Sequence, residues 1–294
     1  MDSNLTRRSL LGAGLALALV GNRSIAQVMP PYFTLKTTEG RDVRIYQWLA
    51  AKKRRGAILF SHGASSAPWK YAPLVESWTA AGYDVFAPLH VDSTDHPDTK
   101  SFPGFASWKA RVEDVNLLAE TIPGKSYIAA GHSYGALVAL TLGGAVPTRP
   151  PGYAGPMNDA RVKLVLAYSP PGAIPGLIDA AGFAALAVPA LIQTGDKDIP
   201  LGSGDEGWKQ HLEAYRAAKA GGNRYALTLD GVDHYFGGLI CRPELPGPKQ
   251  SAQMQEAIQT SLLFIDGHGR GAKAGLRKLK ARLSQAGPAR LESK

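Results

Sequence analysis

A chain of 294 residues, 45% hydrophobic and 19% charged, can bury one large core. Its formal charge of +9 is uneven: residues 1–26 carry three Arg and one Asp, residues 267–294 carry eight Lys or Arg and one Glu, and the body between is neutral. A neutral body excludes a nucleic-acid platform, and a single cysteine, Cys241, excludes an intrachain disulfide.

In chain order, Thr6-Arg7-Arg8-Ser9-Leu10-Leu11 is similar to a twin-arginine export signal, and a short Gly, Ala and Leu run to Val20 follows it. Ser24-Ile25-Ala26 places small residues where a signal peptidase reads, so residues 1–26 are expected to be a signal peptide, with a periplasmic or secreted mature chain. The apolar run is about half of the ~20 residues a spanning helix needs. Phe33–Thr37 and Val43–Leu49 flank the turn-rich Glu39-Gly40-Arg41-Asp42 and predict an opening hairpin. The basic run Lys52-Lys53-Arg54-Arg55 reads as a solvated loop before the continuous apolar strand at Gly56–Phe60.

Strands and helices then alternate. Helices are predicted at Tyr71–Ala81, Phe105–Thr121, Ala136–Gly144, Glu206–Ala220 and Ala252–Ile265, and strands at Tyr83–Ala87, Ser126–Ala130, Val162–Tyr168, Ala190–Thr194 and Tyr225–Leu229. The pattern predicts a mostly parallel sheet of about eight strands in one α/β domain over residues 27–266, covered by helices on both faces. Residues 267–294 read as a basic extension. Leu276, Leu279 and Leu283 mark one helical face there, thin for an anionic membrane surface, so a solvated tail is favoured over surface docking.

The chemistry centres on Gly131-His132-Ser133-Tyr134-Gly135, between an apolar strand and a small-residue helix. That is the strand, sharp turn and helix of a G-x-S-x-G nucleophile elbow. A serine hydroxyl needs a base, and the base needs an orienting acid. His234, in the loop after the last predicted strand, is the base candidate. Asp198, three residues beyond Gly195, is the acid candidate, with Asp196 its rival. The oxyanion hole is expected from the backbone N–H of Ala64, in the loop Ser61-His62-Gly63-Ala64, and of Tyr134. His62 is read as a loop residue bonded to nearby backbone and His132 as a brace, while His211 and His268 are expected to be exposed. Cys241 lies near no strand-to-helix turn and reads as structural.

These motifs, in the order Phe60-Ser61-His62-Gly63, Gly131–Gly135, Gly195–Asp198 and Asp233-His234-Tyr235-Phe236, resemble the α/β-hydrolase superfamily over about residues 30–266. The His-Gly loop and the elbow are most similar to its dienelactone-hydrolase-like and platelet-activating-factor-acetylhydrolase-like branch. That resemblance implies the α/β-hydrolase fold and a cofactor-free serine esterase working through an acyl-enzyme. Dienelactone hydrolases carry cysteine at the elbow, where this chain has Ser133.

Two stretches stay outside this scheme. His90, Asp92, Asp95, His96 and Asp98 crowd one loop at a spacing that fits no zinc pattern and are expected to shape the pocket rim, with no metal bound. The proline-rich Pro147–Asn158 reads equally as a surface loop or a pocket wall. The expected function is an exported serine hydrolase of carboxylic esters, with a small-molecule ester and the twin-arginine machinery as partners. A thioesterase, peptidase or polyester hydrolase would use the same residues. A non-catalytic envelope binding protein on the same fold is the alternative from another class.

Overall fold

The computed structural model describes residues 29–51 and 53–294, so the signal peptide expected at residues 1–26 lies outside the described residues. Its elements are β1 (Tyr32–Lys36), β2 (Asp42–Trp48), β3 (Gly56–Ser61), α1 (Ala72–Ala80), β4 (Tyr83–Pro88), α2 (Ser107–Thr121), β5 (Tyr127–His132), α3 (Tyr134–Leu142), β6 (Val162–Tyr168), α4 (Ala180–Ala184), β7 (Ala190–Gly195), α5 (Glu213–Ala217), β8 (Arg224–Leu229), α6 (Ser251–Phe264), α7 (Lys273–Lys280) and β9 (Ala289–Ser293). They build one nine-stranded sheet in the order β1-β2-β4-β3-β5-β6-β7-β8-β9. The run from β4 to β8 is parallel, and β1, β2 and β9 are antiparallel to their neighbours. This is the α/β-hydrolase fold.

Strands β4, β5, β7 and β8 are buried along their whole length, as continuous apolar runs require when helices cover both faces. One core packs α2 and α3 on the sheet through Trp108, Val115, Leu118 and Leu137. The other packs α1 and α6 through Leu74, Trp78, Ile258 and Phe264. Helix α3 is buried at all nine positions, so its sequence is apolar on every side. Among the described residues no helix is long and apolar enough to cross a membrane.

Two elements differ from expectation. The stretch predicted as a helix over Glu206–Ala220 is a 3-10 helix at Gly207–Leu212 that runs into the short α5, and it leaves His211 buried. The tail is no solvated extension: β9 pairs antiparallel with β8 and buries Leu291, and of the predicted leucine face Leu279 is buried and Leu276 half-buried, while Leu283 stays exposed. Arg277, Lys278 and Lys280 stay exposed around it. The single-residue pattern of a short edge strand is too weak to read without its neighbour, because pairing with β8 supplies the stability.

Candidate active site

Strand β5 ends at His132 and α3 begins at Tyr134, leaving Ser133 alone at the bend with φ 54° and ψ −124°. Backbone held there costs about 1–3 kcal/mol and persists only where the surroundings impose it. The Ser133 N–H donates to the Tyr168 carbonyl at 2.8 Å. A Cβ on Gly131 would stand 2.1 Å from the Gly135 oxygen, and one on Gly135 would stand 2.0 Å from the Ser61 oxygen. Both glycines are therefore fixed by contact: the first lets the turn close, and the second lets the loop after β3 press against it.

Ser133 shares a cavity of about 490 Å³ with Asp198, His211 and His234. Ile174, Ile199 and Leu201 supply apolar wall, and Leu201 is fully exposed at the rim. His234 Nδ1 donates to Asp198 Oδ1 at 2.7 Å, and Thr194 Oγ1 donates to Asp198 Oδ2 at 2.9 Å. With Nδ1 engaged, Nε2 is the nitrogen that His234 has free for the cavity. Burial pulls the His234 pKa below its ordinary value, outweighing the Asp198 carboxylate. Burial pushes the Asp198 carboxyl up, yet the close contacts with the His211 and His234 rings hold it well below the usual carboxylate range. Asp196 turns away, accepting from the Gly231 N–H at 2.9 Å and from Arg290 at 3.0 Å. Of the two acids the sequence offers, Asp198 is the one in contact with His234.

A chain of hydrogen bonds ties the three loops together. The Gly63 N–H donates to the Tyr71 hydroxyl at 2.9 Å, which donates to His132 Nδ1 at 3.0 Å, and His132 Nε2 donates to the His234 carbonyl at 2.9 Å. The carbonyl can only accept, so the proton of His132 sits on Nε2. Burial pushes the His132 pKa down to about 4, keeping that ring neutral.

On the other side Arg111, fully buried on α2, grips Asp92 with two bonds of 2.8 and 2.9 Å. It also donates to the His62 carbonyl at 2.8 Å and the Gly63 carbonyl at 3.2 Å, and its guanidinium stacks 4.6 Å from the centre of the Tyr134 ring. The backbone N–H groups of Ala64 and Tyr134 have no backbone partner among the described residues, and Tyr134 opens α3, where the helix dipole favours negative charge. Neither lines the cavity itself.

The crowded loop at 90–98 breaks up: no metal cluster forms from it among the described residues, and it does not line the cavity. His90 joins a buried chain, its Nδ1 donating to Asp114 Oδ2 at 2.8 Å and its Nε2 accepting from Ser61 Oγ at 2.8 Å, while Asp92 serves Arg111 and Asp95 pairs with Lys70. This second Ser-His-Asp chain is fully buried, so no substrate reaches it. Burial pushes Asp114 up to about 6 despite Arg41. His62 donates to the Gly63 carbonyl and accepts the His90 N–H. Pro147–Asn158 also lies outside the cavity lining.

His211, expected to be exposed, is 5% exposed and reaches Asp198, and His268 packs against Tyr225 and Phe264 rather than lying in a solvated tail. Arg111 carried one unread signal: it shares a helical stripe with Trp108, Val115 and Leu118, and a cation on an apolar stripe implies a buried partner.

A profile of the alpha/beta hydrolase family matches residues 58–240. No curated protein matches the chain. Among solved structures, an alpha-beta serine hydrolase homologue from Coxiella burnetii aligns with TM-score 0.54 at 13% identity, over 79% of this chain and 97% of its own. Esterase 2 of Thermogutta terrifontis, phosphoramylated by tabun, aligns with TM-score 0.54 at 17% identity, over 81% and 94%. Est1E from Butyrivibrio proteoclasticus with ferulic acid bound aligns with TM-score 0.56 at 13% identity, over 79% and 99%. These likenesses concern the fold.

Proposed function

The chain belongs to the alpha/beta hydrolase family, and on that premise we propose that it is a serine hydrolase cleaving carboxylic esters through an acyl-enzyme. One observation carries the reading: Ser133, held at φ 54°, faces the same cavity as His234, whose Nδ1 is bound to Asp198 at 2.7 Å.

In this reading His234 Nε2 removes the Ser133 proton as Oγ attacks the ester carbonyl. The N–H groups of Ala64 and Tyr134 hold the tetrahedral oxyanion, with the N-terminus of α3 behind them. The intermediate collapses, His234 returns the proton to the leaving alcohol, and an acyl-Ser133 ester remains. Water activated by the same imidazole then releases the acid. Asp198 keeps the imidazole in the Nδ1–H tautomer and balances its charge. No cofactor enters these steps.

Among hydrolases, the elbow and the His-Gly loop support the dienelactone-hydrolase-like branch, with a serine in place of its cysteine. Export by the twin-arginine machinery to the periplasm or beyond is part of the proposal and rests on Thr6–Leu11. The outward cations of α7 would give at most a weak contact with an anionic surface, because Leu279 is buried in the body.

The test is a fluorophosphonate label mapped by mass spectrometry, followed by a panel of esters, thioesters and amides. Labelling at Ser133 and preference for oxygen esters are expected. No adduct on Ser133, or full ester turnover by Ser133→Ala, would overturn the reading and favour a non-catalytic binding protein.

A further inference from the structure

His211 presents both ring nitrogens to acceptors. Nδ1 lies 2.7 Å from the Pro170 carbonyl, which can only take a hydrogen, so Nδ1 is protonated. Nε2 lies 2.9 Å from Asp198 Oδ1, the same oxygen that receives His234 Nδ1 at 2.7 Å. Nε2 meets that oxygen at close range without a well-aligned hydrogen bond. A neutral His211, its proton on Nδ1, would set an unprotonated Nε2 2.9 Å from a carboxylate oxygen, a contact between two electron-rich atoms that a second ring proton relieves.

We propose that His211 is a positioning residue of this site: a cationic ring that shares the Asp198 carboxylate with His234 and weakens that carboxylate's hold on the base. The inference rests on reading Ser133, Asp198 and His234 as a working set.

The surroundings divide the two histidines. His211 meets the Pro170 carbonyl from the loop after β6 and Asp198 from the loop after β7, and its ring lies 5.6 Å from that of His234 after β8. His132 stands beyond His234, at 4.7 Å ring to ring, and is neutral. On its own stretch, Glu213 is engaged by the Ala173 N–H at 2.6 Å and Lys209 pairs with Glu206. Asp198 is therefore the one carboxylate in contact with the ring. Burial presses the His211 pKa down, but the bond to Asp198 and its charge lift it above the ordinary histidine value, whereas burial leaves His234 below it. Between those two pKa values one ring is an imidazolium and the other a free base. A carboxylate already neutralised by His211 stabilises protonated His234 less, so the catalytic base stays neutral further into acid.

His211→Gln keeps a donor near Asp198 and removes the charge. The readout is the pH dependence of Ser133 phosphonylation by the fluorophosphonate, which needs no knowledge of the natural ester. The acid midpoint is expected to rise by about one pH unit in the variant. A merely structural His211 would lower the rate at every pH and leave the midpoint in place, and that result, or a downward shift, would overturn the proposal.

Should the variant fail to fold, ring nitrogen NMR of the wild-type chain, labelled at its seven histidines, decides the same point. His211, assigned by its proximity to Pro170, is expected to be more than half protonated at pH 6.5, and a mostly neutral ring there would overturn the proposal. Absence of any Ser133 adduct beside a cationic His211 would instead sink the hydrolase reading alone.

Discussion

His132, the residue immediately before the elbow serine, donates its Nε2 hydrogen to the backbone carbonyl of His234 at 2.9 Å. The bend carrying Ser133 and the loop carrying His234 are therefore joined directly, and Tyr71 extends the join to Gly63 in the loop after β3. Relative placement of these loops within a few tenths of an ångström governs the rate of any reaction between them.

Replacing His132 with Phe removes this join and leaves the His234 carbonyl and the Tyr71 hydroxyl without their partner. Each buried orphan costs about 1–3 kcal/mol. The expected outcome is a lowered Tm by thermal unfolding together with a fall in kcat of about 10- to 100-fold, with KM changed less. An unaltered kcat would show that the loops hold their places without it.

Arg111 does for the loop after β3 what His132 does for the loop of His234. Its removal leaves Asp92 buried without compensation, and burial pushes a lone carboxyl up whereas Arg111 now holds it well below the usual range. Because the folded pKa of Asp92 is depressed, its stabilising contribution is present above the unfolded value and lost as pH falls below it. Arg111→Met is expected to cost about 3–5 kcal/mol in denaturant unfolding near neutral pH, and less in strong acid where Asp92 is protonated in both states. A loss that does not shrink on acidification would contradict this account.

The acid limb of kcat/KM follows from His234. In the proposed mechanism its neutral form is the base, and burial, with His132 and His211 nearby, disfavours the charged form more than Asp198 favours it. The midpoint is expected below the ordinary histidine value of about 6.5, so turnover persists into mild acid before falling. A rate profile with its midpoint above that value would show that Asp198 dominates instead.

The C-terminal strand is expected to be part of the folded body. Leu291 is 2% exposed on β9, and Arg290 reaches back to Asp196 at 3.0 Å. Leu291→Ala is expected to cost about 2–5 kcal/mol in denaturant unfolding. A variant as stable as the parent would mean that β9 adds nothing to the sheet.

Local pattern alone specified much of this protein. The apolar runs at Ile58, Val85, Ile128, Val165 and Ile192 could only be buried strands, and the helical stretches between them forced a parallel sheet. Gly131 and Gly135 around Ser133 announced the bend because only glycine survives the contacts made there. Other features had no local signature. Asp196 and Asp198 are chemically identical and two residues apart, and only the packing of the loop after β8 decided which one faces His234. His211 looked like a solvent-facing residue of a polar helix until the Pro170 carbonyl and Asp198, brought from two distant loops, drew its ring inside. The strand at Ala289–Ser293 has five residues, two of them charged, and becomes a strand because the open edge of β8 offers it hydrogen bonds. A side chain's periodicity is written in its neighbours along the chain, whereas its partner is set by groups tens of residues away, and those meet only once the sheet has formed.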